Sequence, residues 1–312
     1  MTCAPINSGD PPALEHVHMM PCKGLTSENL QQIRRNSAMA KNISVLSLFA
    51  TVVFVAIFLY SQDMDLNLKN STYITGYILL ALMLAVALFN SRKKLSMLPL
   101  GKASSWLVFH VVGGLLCMAM FWLHTKTLWP YGIYEGFLAG TFYLVSLSGI
   151  LGYFIQKNNA RKLTETEIEV IYERIPIELL EIREKVEDLI VECTEKTGSD
   201  TLANHYSATL AWFFQKPRFY WSTLFGSLTP IGVGKPTNWI HKQNNPVKKY
   251  LNDEELKYFQ EIGELANLKV LVDRHFVYQD LNKKWLLFHV PLSVALVALA
   301  FWHLLLVEVY AR

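Results

Sequence analysis

Charge is scarce in this 312-residue chain: Asp, Glu, Lys and Arg make up 18% of it, against 52% hydrophobic residues and a net charge of +3. Soluble globular chains are about 45–50% apolar and about 25% charged, so a single water-soluble globule is excluded, and so are a disordered chain and a collagen-like repeat. Cysteine is also sparse. Cys3, Cys22, Cys117 and Cys193 have no CxxC spacing, and Cys117 lies inside an apolar run, so neither a disulfide framework nor a structural zinc site is indicated. There is no stripe of Lys and Arg interleaved with aromatics, which excludes nucleic acid as a partner. The first 40 residues carry no short apolar run behind a basic start. No cleavable secretory signal is expected, and the first membrane helix serves as its own insertion signal. Gly-Val-Gly-Lys-Pro at 232–236 lacks the spacing of a phosphate-binding loop, and His16, His18 and Cys22 lack a fourth ligand for a metal.

What the chain does have is five long apolar runs, each able to cross a hydrocarbon core about 30 Å thick as a helix of about 20 residues. They are 43–60, 73–89, 106–123, 137–155 and 286–310. The expected fold is therefore an all-α integral membrane protein: a cytoplasmic N-terminal arm (1–42), transmembrane helices 1–4 (43–155), a mostly helical cytoplasmic insert (156–285) and transmembrane helix 5 (286–312). In the insert, Ile168, Ile171, Ile175, Leu179, Ile182, Val186 and Ile190 recur at helical intervals, with Pro176 expected to break the helix. A second helix is expected over 254–274 and a loop over the Gly- and Pro-rich 226–246. The aromatic segment 210–228 holds Lys216, Pro217 and Arg218 in its middle, so it reads as an interfacial or packed element instead of a sixth span.

Positive charges fix the orientation. Arg34, Arg35 and Lys41 precede span 1; Arg92, Lys93, Lys94 and Lys102 join spans 2 and 3; Lys157, Arg161 and Lys162 follow span 4; Lys283 and Lys284 precede span 5. All fall on one side, which places the N-terminus in the cytoplasm; the expected location is a cell (inner) membrane. Spans 3 and 5 then run in the same direction.

Four of the nine histidines lie inside these spans, His110 and His124 on span 3 and His289 and His303 on span 5. Each pair is separated by fourteen residues. At about 100° per residue that is roughly 40° short of four full turns, so both histidines of a helix share a face, about 21 Å apart along the axis. Since the two spans are parallel, His110 comes level with His289 and His124 with His303. A histidine in hydrocarbon is costly unless it is paired, hydrated or bound to something. Two imidazoles facing each other in a helical bundle can ligate one haem iron axially. Proton relays and transition-metal sites usually recruit carboxylates, and the hydrocarbon parts of the spans contain no Asp or Glu, with Glu308 near the outer edge. Gly113 and Gly114, one turn beyond His110, could admit a porphyrin or serve helix packing.

The two histidine helices are locally alike, Trp106-Leu-Val-Phe-His110-Val beside Trp285-Leu-Leu-Phe-His289-Val, with Phe121-Trp122 and Phe301-Trp302 near the second histidines. In these paired His-x13-His helices the chain resembles di-haem b-type cytochrome membrane proteins, either the ferric reductase and NADPH oxidase transmembrane domain or the cytochrome b of bc complexes. The resemblance implies a four-helix haem-binding bundle. Its cofactors would be two haem b, with His110/His289 and His124/His303 as axial pairs, and its activity would be electron transfer across the bilayer. The segment 156–285 belongs to neither family pattern. Flavin, Fe–S and nucleotide motifs are missing from the sequence, so the expected partners are a cytoplasmic redox protein or a flavin or Fe–S subunit, with a quinone or another carrier at the outer face. Trp129-Pro-Tyr-Gly-Ile-Tyr134 could form an outer quinone or electron-exit edge, or anchor the chain at the interface. The competing class is a non-redox membrane scaffold or transporter whose insert recruits partners. Five spans without inverted repeats or midplane charges argue against an ion-coupled transporter.

Overall fold

The computed structural model describes residues 27–88, 103–164, 168, 170–226 and 236–310, and within them the chain is all helix, without a strand. Five helices carry the apolar runs: α1 (Ser27–Leu66), α2 (Thr72–Ala87), α3 (Ala103–Thr125), α4 (Ile133–Thr164) and α10 (Asp253–Tyr310). Four of them are long and apolar enough to cross a membrane. The run expected as span 2 forms the 16-residue α2, which rises only about 24 Å. The basic stretch 92–94 with Lys102, the arm residues His16, His18 and Cys22, and Gly232 and Gly234 lie outside the described residues.

Packing arranges four of these helices in a closed ring: α2 against α3, α3 against α4, α4 against α10, and α10 back against α2. Helices α3 and α10 thus face each other across the middle, and α1 packs outside on α3. At one end Lys126 Nζ reaches Asp65 Oδ2 at 2.6 Å, tying the last turn of α1 to the α3–α4 connection. The core inside the ring is apolar, built on Leu79, Cys117, Met120, Phe121, Phe142 and Leu296. The outer faces of the same helices keep large apolar side chains uncovered, with Leu48, Phe49 and Leu59 of α1 each at least 60% exposed. A soluble monomer seldom presents so continuous an apolar surface.

The insert has its own core. Helix α5 (Ile175–Thr197) buries Ile175, Leu179, Ile182, Val186, Ile190 and Cys193, a stripe at intervals of three and four that faces α10. Pro176 opens this helix instead of breaking it. Its missing N–H costs nothing in the first turn, where that donor has no helical partner. Ile168 and Ile171 accordingly lie ahead of the helix. After α6 (Thr201–His205) and a π-turn (Tyr206–Leu210), α7 (Ala211–Phe214) drives Phe213 and Phe214 fully into this core. Helix α8 (Tyr220–Phe225) lies beside α10. Part of the expected loop is helical, α9 (Pro236–Asn244), and it too begins on a proline.

The divisions drawn at the ends of the apolar runs fall inside continuous helices. Helix α1 begins at Ser27, within the N-terminal arm; α4 runs past 155 to Thr164; and α10 passes through 285 without a break. No Gly or Pro stands between Gly263 and Pro291 to stop α10, and strong helix formers with i,i+4 ion pairs such as Lys284–Asp280 carry it across the polar region. The 58-residue α10 is therefore one rod shared by the insert and the bundle. Asn159 of α4 fastens to it through Nδ2, which donates to the Tyr278 carbonyl at 3.2 Å and to Asn282 Oδ1 at 3.0 Å.

Candidate functional site

The four membrane histidines meet in the two pairs their spacing suggests. The ring centres of His110 and His289 are 6.3 Å apart with planes at 80°, and those of His124 and His303 are 6.5 Å apart with planes at 84°. Each pair joins α3 to α10 across the ring of helices, and α3 and α10 run parallel, as the pairing requires. An imidazole nitrogen bonds a metal at about 2 Å and lies about 1.1 Å from its ring centre, so two rings on opposite sides of one ion have centres roughly 6.3 Å apart. Both pairs have that separation.

Hydrogen bonds fix the tautomers of these rings. His110 Nδ1 lies 3.1 Å from the Val86 carbonyl and His124 Nδ1 lies 3.1 Å from the Thr72 carbonyl. A carbonyl only accepts, so both Nδ1 atoms carry the proton and both Nε2 atoms keep their lone pairs. His289 Nδ1 lies 2.7 Å from Ser148 Oγ. The Ser148 hydroxyl already donates to the Val145 carbonyl at 2.9 Å, so it must accept from His289, and Nε2 again keeps its lone pair. Orienting a ligating histidine through its other N–H is the usual means of fixing tautomer and ring direction at metal sites.

The α10 histidines are also braced by aromatic rings. Trp285 stacks on His289 with centres 5.1 Å apart and planes at 18°, and its Nε1 donates to the Ser148 carbonyl at 2.8 Å. Tyr134 stacks on His303 at 6.2 Å and 18°, and its hydroxyl donates to the Leu299 carbonyl at 2.7 Å. Glycines clear the space for these rings. A Cβ on Gly152 would come within 1.9 Å of Trp285, and one on Gly76 within 2.8 Å of His124 Cε1.

Around the His124–His303 pair the four ring helices line a half-open cavity of about 440 Å³, bounded by His124 and His303 together with Leu79, Met83, Phe121, Phe142 and Leu296 among others. Its wall is apolar except at one end, where Asn70, Tyr73 and Glu135 stand. An apolar slot of this size with two converging imidazoles suits a planar, hydrophobic metal complex. Among the described residues no group of three or more His, Cys, Asp or Glu side chains could hold a bare metal ion. A haem iron takes two ligands from the protein, the number that each histidine pair supplies.

Of the other residues singled out by sequence, Gly113 faces Val86, whose Cγ2 would be 2.7 Å from an added Cβ, and so serves the packing of α3 on α2. Gly114 meets nothing within 4 Å. In the outer connection Trp129 stacks on Tyr143 at 6.3 Å, Pro130 lines the cavity, and Tyr131 and Ile133 are almost fully exposed. Ser148, Gly76 and Gly152 were not evident from sequence. The signal for two of them was present in Ser148-Gly149-x-x-Gly152, a row of small residues on one face of an apolar helix, which opens room for a bulky neighbour. No protein-family model, curated protein or solved structure matches the chain.

Proposed function

We propose that this chain is a five-span di-haem b-type cytochrome subunit, with its N-terminus in the cytoplasm of a cell whose inner membrane it crosses, and that it carries electrons between the two faces. The observation that carries this reading is the repeated histidine pair: two sets of rings, each at the separation a shared axial metal needs, and three of the four rings with Nδ1 engaged by a neighbour. Edge-to-face packing of two imidazoles accounts for one pair, but not for the same spacing twice on the same two helices. The 16-residue α2 is counted as a span because it closes the ring around the pairs, with the apolar sequence continuing to Phe89.

In this reading His110 with His289 and His124 with His303 hold one haem b each. A haem held by these imidazoles would supply one-electron redox chemistry. The chain supplies direction and insulation. Val86 and Thr72 carbonyls and the Ser148 hydroxyl hold the ring tautomers, Trp285 and Tyr134 hold the ring planes, and Leu79, Phe121, Phe142 and Leu296 keep water away from the outer pair. Low polarity around a metal site sets its potential as well as its access. The electron donor or acceptor on the cytoplasmic side is a redox protein or a flavin or Fe–S subunit, and at the outer face a quinone or another carrier.

The test is a reduced-minus-oxidised spectrum of the purified chain with a haem assay. A b-type spectrum that disappears when all four histidines are changed to Ala, in a protein that still enters the membrane, supports the proposal. No b-type absorbance in the natural chain, or haem retained by the fourfold variant, overturns it in favour of a non-redox scaffold.

A further inference from the structure

The aromatic segment 210–228 divides into two parts with different surroundings. Phe213 and Phe214 are fully buried in the insert core. Seven residues on, α8 turns the other way: Trp221 is 65% exposed and Phe225 49%, with their rings stacked at 5.7 Å and 8° on its outer side. Helix α8 is pinned to α10 just below the expected membrane boundary. Tyr278 donates to the Thr223 carbonyl at 3.2 Å, and Lys284 Nζ stands 4.9 Å over the Tyr220 ring. Tyr278 is seven residues before Trp285, about 10 Å down the helix axis, and Lys284 adjoins Trp285 directly.

We infer that Trp221 and Phe225 rest in the lipid headgroup layer of the cytoplasmic leaflet, so that α8 anchors the insert to the same bilayer that α10 enters. Continuity commits the surface to lipid: the rod that crosses the bilayer also carries α8, within one or two turns of the point where its apolar run begins. Residue type agrees, since aromatic rings with an apolar body are enriched at that depth. So does charge. Lys284 lies over Tyr220, Lys162 lies 4.9 Å over the Tyr278 ring, and Arg218 stacks on Trp212 at 4.0 Å. Of these rings Trp212 is exposed, Tyr220 half-buried and Tyr278 buried, and Lys284 is also paired with Asp280, so the basic side chains add a modest attraction to an anionic leaflet.

The inference rests on the membrane-spanning part of the proposal and is independent of haem. Its test is spin-label accessibility in the full chain, reconstituted in phosphatidylcholine/phosphatidylglycerol bilayers, with Cys3→Ser and Cys22→Ser removing the thiols of the N-terminal arm. Cys117 and Cys193 are buried. Labels are placed at Trp221→Cys and Phe225→Cys, with Val294→Cys, 62% exposed within span 5, as the lipid reference, and Glu184→Cys, exposed on α5, as the water reference. The expected result is a ratio of oxygen to nickel-chelate accessibility several-fold higher at 221 and 225 than at 184, and below that at 294. Labels at 221 and 225 that match 184 while 294 stays in lipid overturn the anchor alone. Protection from both reagents at 221 and 225 also overturns it, in favour of a protein partner or a second copy. A water-like value at 294 overturns the span and the anchor together.

Discussion

Helix α10 buries polar side chains in both regions it joins, and it treats them in opposite ways. In the insert, Lys269 and Asp273 are 0% and 4% exposed and pair with each other: Lys269 Nζ donates to Asp273 Oδ2 and to the Lys216 carbonyl at 3.1 Å, and Arg218 N donates to the same carboxylate at 3.2 Å. The Phe213 ring covers the ammonium at 4.0 Å. In the bundle, His289 and His303 face histidines that cannot neutralise them, and His289 is held through its Nδ1 by Ser148. The insert pair is held by charge and backbone donors at Asp273 Oδ2, while Asp273 Oδ1 is buried without a hydrogen bond. The histidine pairs meet ring to ring, and under the proposed function it is this difference, more than burial itself, that would separate a structural polar group from a ligand-binding one.

Four substitutions test how far that contrast holds. The largest effect is expected from Gly76→Val, because any Cβ there meets His124 at 2.8 Å and a branched side chain leaves the ring no place. Haem content measured by the pyridine haemochrome assay should fall by the outer haem alone. Next, Lys269→Met strands the Asp273 carboxylate in the core. Breaking one side of a buried ion pair costs about 3–5 kcal/mol, to be read at neutral pH from thermal unfolding of the full chain in detergent.

The pH dependence of that loss follows from the carboxyl. Burial pushes Asp273 up to about 6, with Lys269 pulling it back down, while burial pushes Lys269 down to about 8. A carboxyl whose folded-state pKa lies above its unfolded value stabilises the fold fully below about 4, and that stability is lost as pH rises through the folded pKa. In the natural protein the loss is complete just above pH 6. Without Lys269 the folded pKa is higher still, so the gap in melting temperature between the two proteins should widen as pH rises above about 6. A gap independent of pH would mean that Asp273 is not ionised in the core.

A smaller change is expected at Ser148, the only side-chain hydroxyl holding an α10 histidine among the described contacts. Ser148→Ala frees the His289 tautomer, and loss of such an outer partner weakens metal-site affinity by about 10–100-fold. The inner haem should be lost first on dilution or during competition with apo-myoglobin. The smallest effect belongs to Gly149→Ala, whose Cβ would lie 3.5 Å from His289 Cε1, an ordinary contact. Haem content and melting temperature should stay unchanged, and a strong effect would show the inner pocket to be tighter than its neighbouring distances imply.

The histidine pairs were legible because a fourteen-residue interval projects from one helix face whatever surrounds it, and α5 was legible because its apolar stripe repeats at the helical period. Other features left no such trace. The acceptors for His110 and His124 are backbone carbonyls of Val86 and Thr72, and a carbonyl has no residue type to read. Trp285 depends on Gly152 across the interface of α4 and α10, a contact that no local pattern encodes. Pro176 and Pro236 were misjudged because the same residue that stops a helix from inside starts one at its first turn. Limits at 42, 155 and 285 follow the ends of apolar runs, which record where water begins, whereas helices end where caps or breaking residues end them.

The central claim, that each histidine pair on α3 and α10 holds its own haem, is tested most directly by counting haem per chain after removing one pair at a time. The account predicts two haems b in the natural protein and one in each of the double variants His110→Ala/His289→Ala and His124→Ala/His303→Ala, with different spectra for the haem that remains. Two haems retained in either double variant, or none in the natural chain, would contradict it.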